Sequence, residues 1–103
     1  MPAEAPAPRE TDETRRRRMR LRAWRRGTRE MDLILGGFAD ARLAGMDGAT
    51  LDAFEALLDE ADPDLYAWIA GQAAPPDRLR PMLDEVAAHV AAHTAVLRGT
   101  GGD

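Results

Sequence analysis

Three groupings of side chains in this chain have types and spacings that could do chemistry. His89 and His93 stand four residues apart, which would put two imidazoles on one helical face within reach of one metal ion. Asp59, Glu60, Asp62 and Asp64 crowd a short acidic stretch. Arg15, Arg16, Arg17, Arg18, Arg20, Arg22, Arg25, Arg26 and Arg29 form a basic run whose last members bracket Gly27 and Thr28, and Glu30 and Asp32 follow directly. The first two groupings fall short of a site. No Glu lies between the histidines, no Cys exists to complete a ligand set, and Glu85 would be at most a third ligand. The acidic stretch lacks the glycine and the terminal glutamate of a calcium loop, and helix capping accounts for it better. No metal is expected.

The remaining inventory is thin for an enzyme. The 103 residues include no Cys, Ser, Asn or Lys. That removes serine and cysteine nucleophiles, disulfides, Schiff-base chemistry and the lysine of a phosphate-binding loop. Six Thr, one Tyr, two His and 18 carboxylates remain. A binding or assisting protein is expected, not an enzyme. The richness in Ala and Arg also accompanies a GC-rich genome, so the absences state what the chain cannot do, not what was selected against.

The net charge of −4 conceals a division. Residues 15–29 hold nine Arg and no acid, whereas residues 30–103 hold fourteen acids against four Arg. Such asymmetry fits nucleic acid, an anionic ligand or an acidic protein partner. On a helix the run wraps around every face, only Trp24 interleaves an aromatic ring, and the acidic body would repel a duplex. An Arg-mediated module for nucleic acid or an acidic protein is therefore the alternative reading. No stretch approaches the ~18 apolar residues of a membrane span. The first residues lack the apolar core of a secretory signal, and Glu4, Glu10, Asp12 and Glu13 are wrong for a mitochondrial presequence. A cytoplasmic location is the default expectation.

The elements that must position these side chains read as helices. Met1 to Glu13, rich in Pro, Ala and acids, is expected to be a disordered tail, residues 14–98 a helical bundle domain, and residues 99–103 a flexible end. The first helix is expected over Thr14–Arg26, ended by Gly27. A second starts at Thr28 as N-cap and buries Met31, Ile34, Leu35 and Phe38 at offsets 0, 3, 4 and 7. Gly36 and Gly37 inside it call for a bend or a close helix crossing. Asp47 caps a third helix, with Leu51, Phe54, Leu57 and Leu58 inward. Asp62 caps a fourth, with Pro63 at its first position and Gly71 at its end. A fifth starts between Asp77 and Pro81 and runs to about Leu97. The expected fold is all-α, a compact five-helix bundle with short loops, monomeric when free.

The corner between the first two helices carries a recognisable motif. Arg26-Gly27-Thr28-Arg29-Glu30 resembles the RGxxE signature of the succinate dehydrogenase assembly factor 2 family, the flavinylation factors. Asp62-Pro63-Asp64-Leu65-Tyr66-Ala67-Trp68 is similar to that family's acidic, aromatic start to its fourth helix. The resemblance spans about residues 15–97; the tail and the run Arg15 to Arg18 are outside the signature.

This resemblance implies an assembly factor for the flavoprotein subunit of succinate dehydrogenase, and in some bacteria of fumarate reductase. Such factors promote covalent attachment of FAD to a histidine of that partner and hold no cofactor tightly themselves. Consistently, no nucleotide-binding glycine loop is present. Some members also carry an antitoxin label. The factor would act by favouring a reactive conformation of its partner. The expected contact residues are Arg26, Gly27 and Glu30, flanked by Arg25 and Arg29 and extended by Asp62, Asp64 and Tyr66. Gly27 would allow close approach, and Arg26 would offer a fork of donors to the partner. Glu30 would orient Arg26 or accept a bond from the partner. Trp68 shares its helical face with Leu65 and Ile69 and is expected in the core.

Overall fold

Thr11 opens the first helix. Its side-chain oxygen accepts a hydrogen bond from the Thr14 N–H at 3.1 Å, and Asp12 and Glu13 lie in the first turn, where negative charge suits the helix dipole. The computed structural model describes residues 10–101, with side chains described through His93. Helix α1 is Asp12–Trp24, so it begins and ends two residues earlier than the expected Thr14–Arg26. The start moves because Thr11 is the cap. The end moves because the backbone leaves helical geometry at Arg25 on its way to Gly27, whose φ is +103°. Asp12 and Glu13, assigned to the tail by their composition, are therefore helical. Of the rest of that expected tail, Glu10 and Thr11 are described and lie outside any helix, and Met1 to Arg9 lie outside the described residues.

Four further helices follow. Helix α2 (Arg29–Arg42) is capped by Thr28, whose hydroxyl accepts from the Met31 N–H at 3.2 Å. It tightens into a short 3-10 helix at Leu43–Gly45. Helix α3 (Gly48–Leu58) starts at Asp47, which accepts from both the N–H and the hydroxyl of Thr50. Helix α4 (Asp62–Ile69) has Pro63 in its first turn. It ends at Gly71 (φ +77°), where the Gly71 N–H bonds the Trp68 carbonyl and the Gln72 N–H bonds that of Ala67. A 3-10 turn at Asp77–Leu79 leads into α5 (Arg80–Gly101). The expected flexible end at residues 99–103 is thus helical through Gly101, while Gly102 and Asp103 lie outside the described residues. No strand occurs among the described residues, and the fold is an all-helical compact globule of five α-helices.

The core draws on every helix. Met19 and Ala23 of α1, Leu35 and Phe38 of α2, Phe54 and Leu57 of α3, Leu65 of α4 and Val86 of α5 are fully buried. The Phe38 and Phe54 rings meet at 5.5 Å in a tilted pair. No charged or polar residue is buried among the described residues. Ile34, Trp68, Ile69 and Val90 pack only partly against this core. Leu97, the expected end of the fifth helix, lies beyond the described side chains.

The two adjacent glycines of α2 have different explanations. A Cβ on Gly36 would sit 2.2 Å from the Trp24 ring, so the absence of a side chain lets the indole lie against the helix. The Trp24 N–H then reaches Asp40 at 3.2 Å. This is the close crossing expected from the sequence. Gly37 meets no described atom within 4 Å of its would-be Cβ, so packing gives no reason for it.

The basic run is mostly spent inside the molecule. Arg15 bonds Asp52 at 2.6 Å and Glu55 at 2.9 Å, Arg18 bonds Glu10 at 2.8 Å and Glu55 at 2.7 Å, and Arg22 bonds Asp59 at 2.8 Å. Arg16 turns to the backbone and donates to the carbonyls of Leu43 and Met46 at 3.2 and 2.7 Å. An exposed pair alone contributes only ~0–1 kcal/mol. Here the pairs converge. The hydrogen bond from Arg18, joined by Arg15, holds the Glu55 carboxyl below the ordinary glutamate range against the desolvation that would raise it. Helix α1 is thereby bound to α3 by charge on one side and to α2 by apolar packing on the other.

Two outcomes are expected. Gly36→Val, which drives side-chain atoms into Trp24, costs about 1–3 kcal/mol in urea unfolding, while Gly37→Ala is neutral or stabilises by up to about 1 kcal/mol. His89 packs edge-on against Phe38 at 5.7 Å, with the His93 ring 4.3 Å away and Arg42 near the same Phe38 ring. Desolvation, with His93 and Arg42, pushes the His89 pKa down. The unfolded chain then binds the proton more readily than the folded one. Melting temperature should fall as pH drops below the ordinary histidine value of about 6.5, and His89→Gln should flatten that part of the profile.

Candidate functional site

Helix α3 ends without the usual devices. Its last turn carries no basic residue and no glycine follows, so Leu58 and the residues after it present carbonyls that need donors. Arg26 supplies them from the far side of the α1–α2 corner. Its Nη1 donates to the Leu58 carbonyl at 2.7 Å and its Nη2 to the Glu60 carbonyl at 2.8 Å. Its Nε donates to the Asp62 carboxylate at 2.8 Å. Arg22 adds a second bond to Leu58 at 3.1 Å. The backbone N–H of Arg26 is held by the Asp32 carboxylate at 2.6 Å. The Arg26 side chain is only 10% exposed, so these bonds lie largely out of water.

This arrangement corrects three expectations. The Arg26 fork points inward, because the end of α3 has no other donors, and it is not offered outward. Asp62, not Glu30, orients Arg26. Asp62 also does not cap α4: Ala61 holds the cap position with no side-chain bond, since the Asp62 carboxylate is committed to Arg26.

Gly27 meets the need for a left-handed turn, and the space where its Cβ would stand is open to 4 Å, leaving bare backbone at the surface. Arg25, Thr28, Arg29 and Glu30 are exposed beside it, and Asp64 and Tyr66 are exposed on α4. Among the described residues no ion pair engages Arg25, Arg29, Glu30 or Asp64. Thr28, Glu30 and Met31 share a shallow groove of about 310 Å³ with Asp62, Pro63 and Tyr66. The two motifs, more than 30 residues apart in sequence, thus form one surface. Trp68 turns instead toward the core and packs partly against it.

Sequence reasoning did not find the inward role of Arg22 and Arg26. The available signal was the end of α3, where Leu58-Asp59-Glu60 is followed by neither a glycine nor a basic residue that could serve the carbonyls of Leu58 and Glu60.

What this corner can do chemically is recognise a surface. It offers exposed charges of both signs, without an ion pair among the described residues, around a glycine turn and a half-exposed tyrosine. No group of three or more metal-ligating side chains occurs among the described residues. The comparison with known proteins agrees in kind. The Sdh5 family profile, described as flavinator of succinate dehydrogenase, matches residues 17–90, and the chain belongs to that family. A succinate dehydrogenase assembly factor 2, mitochondrial, from Cryptococcus neoformans is 36% identical over 91 residues, covering 86% of this chain and 52% of that protein. The FAD assembly factor SdhE of Acetobacter pasteurianus is 40% identical over 70 residues, covering 67% of this chain and 64% of that protein. The chain therefore spans between about half and two thirds of the length of these two relatives.

The inward fork yields a stability test. Arg26→Leu leaves the Glu60 carbonyl and the Asp62 carboxylate without their donors and the Leu58 carbonyl with Arg22 alone, and should cost about 3 kcal/mol in denaturant unfolding. Arg26→Lys should recover only part of this, because one ammonium cannot span three acceptors in a plane.

Proposed function

We propose that this chain binds the flavoprotein subunit of succinate dehydrogenase before its FAD is covalently attached and promotes that attachment. The observation that carries the reading is the joint surface itself. The family's two motifs meet in one groove with Glu30 and Tyr66 exposed, and the flanking Arg25 and Arg29 are left without an ion pair among the described residues. The reacting atoms belong to FAD and to the partner. The chain contributes orientation and a bias toward the reactive conformation of the flavoprotein. It supplies no nucleophile, in keeping with a composition that lacks Ser, Cys and Lys.

Within this reading, Gly27, Glu30, Arg25, Arg29, Asp64 and Tyr66 touch the partner. Arg26 and Asp62 hold the two halves of the surface in register. The flavoprotein of fumarate reductase is the second candidate partner. The cytoplasm is the proposed place of action, and no described helix is long and apolar enough to cross a membrane. Nucleic-acid binding is less well supported, because most of the arginine run is already committed to carboxylates and carbonyls of its own chain.

The test is deletion of the gene, with covalent flavin read as fluorescence of the denatured flavoprotein. Loss of covalent flavin, restored by the wild-type chain, is expected. Glu30→Ala should restore less than a tenth of the signal, and Gly27→Arg, strained by its positive φ and bulky at the contact, should restore none. Normal flavin in the deletion strain overturns the proposal. Measuring succinate dehydrogenase and fumarate reductase separately tells which flavoprotein is served.

A further inference from the structure

A second surface leads away from the corner along α2. Glu30, Leu33 and Gly37 fall at offsets 0, 3 and 7, one stripe of that helix. Leu33 is 54% exposed, the largest exposure of any bulky apolar residue described, and Leu21, one turn before Trp24 on α1, is 46% exposed. Between Trp24, Leu33 and Ile34 on one side and His89, Val90 and His93 of α5 on the other lies an open apolar groove of about 320 Å³. Gly37 lies in this groove with no described atom within 4 Å of its would-be Cβ.

Gly37 is the informative residue. Its neighbour Gly36 is required by the Trp24 ring, but Gly37 is helical, half-buried and has open space where its Cβ would stand. A glycine there weakens the helix relative to alanine and gives the fold nothing in return. What its missing side chain does is keep the groove open. An apolar pocket walled by Trp24, His89 and His93, with the exposed charges Arg29 and Glu30 one turn before Leu33 on α2, has the anatomy of a protein contact: an apolar centre beside polar groups.

We infer that this groove receives a bulky apolar side chain of the same flavoprotein that the corner binds, so that the contact surface runs from Gly27 along α2 to His93. The inference rests on the reading in the preceding section. Its occupant follows from continuity: the α2 stripe carries Glu30 at one end and the groove at the other, so a partner seated on Glu30 lies over Leu33.

The experiment is titration of the full chain against the purified flavoprotein subunit lacking covalent FAD. Gly37→Leu fills the groove from an open helical position and should weaken binding at least tenfold while leaving the melting temperature unchanged or raised. Leu33→Asp should weaken it similarly. Glu30→Ala serves as the comparison at the corner. If Glu30→Ala weakens binding and both groove variants bind as wild type, the groove inference is overturned and the functional reading stands. If the wild-type chain does not bind the flavoprotein, both fall. Sedimentation of the free chain completes the test. A wild-type dimer that Gly37→Leu makes monomeric would assign the groove to a second copy and overturn the inference.

Discussion

At the end of α3 the carbonyls of Leu58 and Glu60 take their donors from side chains more than 30 residues away. Arg22 and Arg26 supply them, and much of the molecule's arrangement follows. To reach Leu58 and Glu60, the end of α1 must pass close to the end of α3. To turn back from there, the chain needs the positive φ of Gly27, and α2 then starts at Thr28 with Asp32 holding the Arg26 backbone. The guanidinium of Arg26 also fixes Asp62, hence the start of α4. One side chain so sets the relative position of three helix ends, and Gly27 and its flanking charged residues are what remains exposed around it.

This division of labour explains how a strongly basic segment coexists with an acidic body. Most of the arginines of residues 15–29 find carboxylates or carbonyls within the chain. The exposed remainder is concentrated at the corner, next to Glu30 and Asp64 of opposite sign. A surface with both signs and little net field favours a specific geometry over general attraction to polyanions.

The helices and most of their inward faces were legible in the sequence because local rules govern them. Thr28 and Asp47 cap as their types suggest, Gly71 ends α4, and Leu51, Phe54, Leu57 and Leu58 point inward at helical spacing. The ends of α1 were misplaced because Thr11 and Thr14 are equally plausible caps by type, and only packing chooses. The direction of Arg26 was not legible either. Whether a guanidinium faces a partner or its own chain depends on carbonyls more than 30 residues away, and no periodicity encodes that. The groove beside Gly37 was hidden for the opposite reason. Two adjacent glycines look alike in sequence, and only the position of Trp24 separates one from the other.

The exclusive use of arginine has a consequence for how this charge pattern can be altered. A guanidinium stays protonated at any pH a cell reaches, and with no lysine in the chain there is no side-chain amine for acetyl groups to neutralise. The side of the α1–α3 fastening that titration can undo is therefore its carboxylates, which give way in acid. Around neutral pH the charges that the arginines and carboxylates give the corner stay fixed, with no lysine through which acylation could change them.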